Sequence, residues 1–442
     1  MPLAPSEGER VAGGRVMGIP GQFINAAYFA QLKNGSFQMV EARSNRWLNW
    51  FAVFTAVATL ALIALGGLVT SKEAGMAVPD WPTTYGYNMF LFPISKWVGG
   101  IFYEHTHRLL ASFVGILVVA LTRWVGGRSA CKPLVIIGAI ETLVGFVIPH
   151  VSPQLTGAGY FLSGIGVVVL LAGIFWVQNE PASHSVRNFA WLAFVLVQVQ
   201  GLMGGLRVVL IWDKAGIFHA ALAQLFLVVL CIIALFTSRW WLDFAKSSGA
   251  TDRGCLRLWL PLVTLLIFCQ LILGATMRHE HAGLAIPDFP LAYHKIWPDM
   301  DTASVEGYNQ RRLETQEANP ITAFQIRLQL AHRFAALLIF AGVAWCARAT
   351  RRQMGAGHPL ARFTLAWFAL IGLQVLLGAS TIWSNKASDV ATAHVVVGAL
   401  SLSAGALLTI LAYRVLIPVA ANLPASAPVG VLPARRIGQN AK

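Results

Sequence analysis

The stretch "GGLVTSKEAGMAVPDWP" (residues 66–82) has a second copy in the chain, "GATMRHEHAGLAIPDFP" (274–290). Seven of the 17 aligned positions are identical, among them Gly66/Gly274, Ala77/Ala285, Pro79/Pro287, Asp80/Asp288 and Pro82/Pro290, and Trp81 stands opposite Phe289. Each copy begins at the end of an apolar run and passes into a more polar loop. Each is then followed by a His–Arg pair entering an apolar helix: "YEHTHRLLASFVG" (103–115) and "LQLAHRFAALLIF" (328–340). The echo continues with "QGLMG" (200–204) and "QVLLG" (374–378), and with a lone histidine near the start of the next apolar run, His219 in "GIFHAALAQ" and His394 in "TAHVVVGAL". A repeat on this scale means that one helical unit has been used twice.

The surrounding composition says in what solvent. The chain has 442 residues, 56% of them hydrophobic and 12% charged, with a mean hydropathy of +0.63. A water-soluble domain rarely looks like this, whereas a multi-span membrane protein does. A helix needs about 20 mostly apolar residues to cross the hydrocarbon core. Ten such runs are predicted, near 47–69, 104–125, 133–148, 157–177, 188–209, 216–236, 258–277, 323–346, 363–382 and 391–416. The third and fourth have no counterpart in the second half, so 133–177 reads as an inserted hairpin, either two spans or one re-entrant pair. The fold class expected is therefore all-α: two pseudo-twofold-related four-helix bundles plus the extra hairpin. An even number of spans per repeat gives both halves one orientation, with the axis along the membrane normal. The domain plan is an N-terminal segment (1–46), an N-terminal half (47–238), a C-terminal half (258–416) and a tail (417–442).

A net charge of +14 raises nucleic acid as a partner, but its distribution argues for topology instead. With cytoplasmic termini, 21 of the 33 basic residues fall on inner segments, which is the positive-inside bias. The place expected is a bacterial inner membrane, with both termini cytoplasmic. Residues 1–46 lack a signal-peptide layout. The five cysteines, at 131, 231, 255, 269 and 346, form no close outer pair and no CxxC site.

Four histidines, His107, His219, His332 and His394, thus stand at repeat-matched places near the outer ends of four helices. One buried histidine is more often structural than a ligand; four at matched positions favour a shared purpose. Two imidazoles on neighbouring helices hold a heme iron axially, so His107 with His219 and His332 with His394 predict two hemes. Arg108, Arg207, Arg278 and Arg333 lie on the same side, where a guanidinium can bind a heme propionate or simply anchor the interface. His105, two residues from His107, points elsewhere on the helix. His279, His281 and His294 are expected in solvent, and Glu141, inside the hairpin, is expected to be a protonated or hydrogen-bonded structural carboxyl. The halves differ at one telling place. Glu104 precedes its histidine by three residues, on the same helix face, where the second half has Gln329. A carboxylate can move protons or stabilise developing positive charge; an amide can only hydrogen-bond. The first half reads as reactive and the second as a cofactor or electron store. Against this stands a simpler role for Glu104, as a helix cap or partner of Arg108.

At these residues the chain resembles the heme A synthases, membrane enzymes that make heme A from heme O. The resemblance rests on Glu104-His105-Thr106-His107-Arg108, on "QGLMGGLRV" with Arg207, on "ILGATMR" ending at Arg278, on His332–Arg333 and on His219 and His394. It covers roughly 47–130 and 188–416. It implies an oxidoreductase with heme b as cofactor in the C-terminal half, its iron on His332 and His394 with Arg278 and Arg333 nearby. It places substrate heme O in the N-terminal half at His107 and His219 with Arg108 and Arg207, Glu104 being the catalytic carboxylate. The methyl at ring position 8 would be oxidised to formyl by successive hydroxylations, supplying heme A to terminal oxidases. Heme O delivered by heme O synthase, an electron donor and membrane lipid are the partners implied, with assembly into a homo-oligomer left open. The chain departs from members that carry a cysteine pair in the first outer loop, where it reads "GMAVPDWP" (75–82). Two other readings use the same residues: a di-heme b-type electron carrier and a parallel-repeat transporter.

Overall fold

A computed structural model describes residues 45–175, 179–211, 214–244, 250–311 and 320–417. Nearly all of the expected N-terminal segment and of the expected tail lie outside them. Among the described residues ten helices are long and apolar enough to cross a membrane, and the chain is an integral membrane protein. In chain order the helices are α1 (Arg46–Ser71), α2 (Gly99–Gly126), α3 (Arg128–Val151), α4 (Thr156–Ile174), α5 (His184–Val209), α6 (Ala215–Thr237), the short α7 (Arg239–Phe244), α8 (Leu256–His279), the loop helix α9 (Thr302–Gln310), α10 (Ala323–Met354), α11 (Pro359–Trp383) and α12 (Ser388–Val415).

Their ends follow local chemistry. Asn45 caps α1, its side chain accepting from the amides of Trp47 and Leu48, and Thr322 with Gln325 forms a capping box at α10. Gly127, at φ 52°, turns the chain from α2 straight into α3 in a conformation that L side chains rarely adopt. Helix α10 runs two turns past the predicted end at 346, carrying Arg351 and Arg352 beyond the apolar stretch.

Packing closes two rings of four. Helix α1 packs on α2 and α6, and α5 packs on the same two; α8 packs on α10 and α12, and α11 on the same two. The first and fourth helices of each ring face those of the other, through α1–α12, α6–α8 and α6–α12. In the first ring the core is a dry aliphatic layer including Ala52, Val118, Leu121, Leu230 and Ile233. In the second, Trp367 is buried with its indole N–H donated to the Ser401 carbonyl at 2.9 Å. A parallel pair of two-residue strands, Ala250–Thr251 with Leu416–Ile417, ties the start of the second ring to its end.

The inserted hairpin consists of two helices, α3 and α4, each within a segment long and apolar enough to cross a membrane. Its helices touch backbone to backbone: a Cβ on Gly138 would lie 2.3 Å from Leu170 N, and one on Gly145 2.4 Å from Ser163 N. In lipid, where apolar attraction between helices is weak, such close approach supplies the dispersion contacts that hold helices together. The hairpin is fastened to the first ring by the buried Arg123, which donates to the Ala172 and Gly127 carbonyls at 3.2 and 2.7 Å. At the other end Trp81 meets Phe161 edge-on, with ring centres 5.0 Å apart.

Candidate functional site

The two loops that follow the repeated stretch fold alike, and the reason is legible atom by atom. Asp80 accepts the amides of Tyr85 and Gly86 at 2.7 and 2.9 Å; Asp288 accepts those of Tyr293 and His294 at the same distances. Tyr85 donates its hydroxyl to the Ala77 carbonyl, and Tyr293 donates to that of Ala285. Burial works to raise the pKa of Asp80, but the bonds from Gly86, Thr83 and Tyr85 outweigh it and hold the carboxyl below its usual range. Each loop is thus a knot tied on its own aspartate.

The His–Arg helices grip these knots. Arg108 donates to the carbonyls of Asp80 (2.6 Å), Thr83 (3.1 Å) and Val78 (2.8 Å). Arg333 makes the matching bonds to Asp288 (2.8 Å), Leu291 (2.9 Å) and Ile286 (3.4 Å). Glu104 and Gln329, both buried, accept the amides of Val78 and Ile286 at 2.7 and 2.6 Å. The difference lies in the second oxygen. Glu104 uses it for an ion pair with Arg108 at 2.6 Å, whereas Gln329 turns an amide N–H to the carbonyls of Gly283 and Ile286. Lacking a carboxylate, Arg333 sits over the Phe289 ring, 5.5 Å from its centre.

Between the rings and these loops lies one continuous cavity of about 2030 Å³, lined by all four histidines and by Glu104, Gln329, Arg207 and Arg278. Sites for a single drug-sized ligand run to about 300–1,000 Å³, so this one has room for more than one large ligand. Each histidine rests on a glycine of a neighbouring helix: His107 on Gly66, His219 on Gly204, His332 on Gly274 and His394 on Gly378, with 3.1–3.4 Å from a built Cβ to the ring. Those glycines are the repeat-matched ones. Their identity in sequence therefore records a steric need: any side chain there crowds an imidazole.

His332 and His394 face one another with ring centres 6.4 Å apart. A metal–imidazole bond is about 2.0 Å and the ring centre lies about 1 Å beyond the nitrogen, so two rings on one iron stand about 6 Å apart. Among the described residues the Nδ1 of each of the four histidines is buried without a hydrogen-bond partner. Buried imidazoles lining an apolar cavity at this separation fit an axially ligated heme. Glutamines four residues before the glycines add support: Gln200 donates to the His219 carbonyl at 3.0 Å and Gln270 to that of His332 at 2.8 Å, while Gln374 lies 3.5 Å from the His394 ring. Leu62 takes that place opposite His107. The Gln–Gly spacing was visible in sequence for two of these helices; what it positions was not.

The remaining candidates divide. The Nε of Arg207 is buried with no hydrogen-bond partner among the described residues, and its terminal nitrogen lies 2.9 Å from a Cβ built on Gly75. Arg278 crosses between the rings, donating to the Gly67 carbonyl at 2.9 Å and the Ser71 hydroxyl at 2.7 Å. His105 points away from the cavity, as its spacing predicts, to Thr84 (3.0 Å) among the rings of Phe92 and Trp97. His281 and His294 are exposed, but His279 is not the solvent residue expected: it ends α8 packed against Gly216, because the helix continues past Arg278. Glu141 accepts a bond from Gln198 at 2.6 Å.

Residues 160–405, just over half of the chain, match the family model COX15-CtaA, described as cytochrome oxidase assembly protein. The chain is also similar to a heme A synthase of Bacillus mycoides (strain KBAB4), 24% identical over 381 residues covering 84% of this chain and 93% of the relative. A heme A synthase of Agrobacterium fabrum is 23% identical over 402 residues (82% and 91%). One of Lysinibacillus sphaericus is 23% identical over 353 residues (79% and 90%).

Proposed function

The chain belongs to the COX15-CtaA family of cytochrome oxidase assembly proteins, the heme A synthases, and from that premise we propose that it oxidises the methyl at ring position 8 of heme O to a formyl group by successive hydroxylations. As a family member it is an oxidoreductase of heme A biosynthesis. The substrate occupies the N-terminal ring at His107 and His219, and heme b the C-terminal ring at His332 and His394. The observation that carries this reading is the pair of His332 and His394 rings 6.4 Å apart in the cavity, whose wall also carries the repeat-matched His107 and His219.

The protein's own contribution is positional and electrostatic. The glycine seats let each imidazole lie directly against the neighbouring helix, where an added Cβ would come within 3.1–3.4 Å of the ring. Arg207, with a buried donor to spare, is the guanidinium for a substrate carboxylate; Arg278 lies where it can serve a carboxylate of the other ligand while joining the rings. Arg108 and Arg333 close the loops over the cavity, and Arg333, whose Nε is also buried without a partner among the described residues, lies in the cavity wall of the second ring. Glu104 brings a carboxylate to the cavity wall, held by Arg108 and the Val78 amide. There it stabilises positive charge developing on the substrate and accepts protons released as the methyl is oxidised. Heme b, when bound, supplies one-electron redox chemistry.

The assay is expression beside a heme O synthase, followed by chromatography of extracted hemes. Heme A is the expected product. Heme b with unmodified heme O alone, despite a working electron donor, would replace this reading by the di-heme electron carrier. The orientation we propose, both termini cytoplasmic, has its own check. With the five native cysteines replaced, a cysteine at Ala303 is labelled from outside by an impermeant reagent and one at Ala356 is not; the opposite pattern inverts the topology.

A further inference from the structure

The hairpin α3–α4 does more than pad the first ring. Its inner face forms part of the cavity wall, through apolar residues such as Phe161, Leu162, Ile165 and Val168, and through one carboxyl, Glu141. Gln198 of α5 donates to Glu141 Oε1 at 2.6 Å, while Oε2 is buried with no partner among the described residues. A carboxyl oxygen shut away from water inside a membrane span is costly unless something completes its hydrogen bonding. Nothing in the second half corresponds to this pair. The hairpin has no copy there, and the residue two before Gln374, where Gln198 stands two before Gln200, is Gly372.

We propose that Glu141, held by Gln198, is the specificity site for the hydroxyl of the substrate's hydroxyalkyl-isoprenoid substituent, with the apolar hairpin face bedding the chain beyond it. The inference rests on the functional reading above. The two hemes of that reading differ in this substituent: heme O carries a long isoprenoid chain with a hydroxyl at its root, and heme b has a vinyl group there. The half assigned to heme O has the hairpin's carboxyl and its added apolar wall; among the described residues the half assigned to heme b has no counterpart of the hairpin or of Glu141. A hydroxyl also suits Glu141 in either state, because it donates to an ionised carboxylate and accepts from a protonated one, whereas a carbonyl ligand can only accept.

The test is competitive uptake. Purified full-length protein in detergent is incubated with equal heme O and heme b, and the ratio of exchangeably bound hemes is read by chromatography. The tightly held heme of the C-terminal ring, followed by its absorbance, reports that the fold is intact. Native protein prefers heme O. Glu141→Leu, which suits a membrane span and leaves nothing to bond the hydroxyl, lowers the heme O to heme b ratio on the order of 10-fold, and Glu141→Gln restores most of it. A carboxyl that merely stabilised the hairpin would weaken uptake of both hemes together and leave the ratio unchanged, which overturns the proposal. If that occurs while the native chain still makes heme A, the subsite alone is wrong. If the native protein takes up no heme O and makes no heme A, the functional reading falls and the subsite falls with it.

Discussion

The two rings of this protein are copies that diverged where it matters. Loop knots, arginine clamps, glycine seats and histidines superimpose in role: Asp80 with Asp288, Arg108 with Arg333, Gly66 with Gly274, His107 with His332. The differences sit on the walls of the cavity. The first ring has an ionisable Glu104 bound to Arg108, and the hairpin; the second has the amide of Gln329 and an arginine resting on Phe289. On the proposed function, the shared parts would hold a large planar ligand between two helices, and the unshared parts, charges and an added apolar wall, would serve chemistry and substrate choice.

The comparison breaks most sharply at the histidines. His332→Ala or His394→Ala leaves one axial ligand in the second ring, and the low-spin bis-histidine absorbance of the purified protein is expected to vanish. The matching changes at His107 or His219 should leave that signal in place while abolishing turnover. Retention of the full spectrum in both C-terminal variants would end the assignment.

Next in size is the exchange at the clamp. Glu104→Gln gives the first ring the residue that the second already tolerates at the same bond to the loop, so folding is not at stake. Turnover is expected to drop on the order of 100-fold or more, with extracted heme stalled at heme O or a hydroxylated intermediate and the second heme still bound. A variant as active as the native chain reduces Glu104 to a partner of Arg108. The smallest effect concerns the seats. An added methyl at Gly66 or Gly378 lies 3.1 Å from the imidazole, against 3.4 Å at Gly204. Gly378→Ala should therefore weaken heme retention in the second ring several-fold, at a cost of about 1 kcal/mol for overpacking. Gly66→Ala should do the same for substrate uptake, and Gly204→Ala least of all.

Much of this was readable before any fold was known, for a physical reason: lipid allows few solutions. A chain that must satisfy its backbone inside hydrocarbon makes helices, so apolar runs announced the ten spans, and a repeat of spans announced two bundles. The repeated His–Arg pairs, the lone His219 and His394 and the odd Glu104 likewise stood out, because polar groups in such runs are rare and costly. Tertiary structure alone decided what those groups touch. Arg108 and Arg333, read as propionate partners or anchors, prove to close on loop carbonyls, since the loops fold back over the helix ends and present unpaired oxygens there. His279 looked like a loop residue until α8 was seen to carry it against Gly216. Glu141 looked isolated until Gln198, 57 residues later on another helix, was seen to bond one of its oxygens, the other being buried with no partner among the described residues. Spacing along one helix reports which residues share a face; which face meets which is set by packing between helices far apart in the chain.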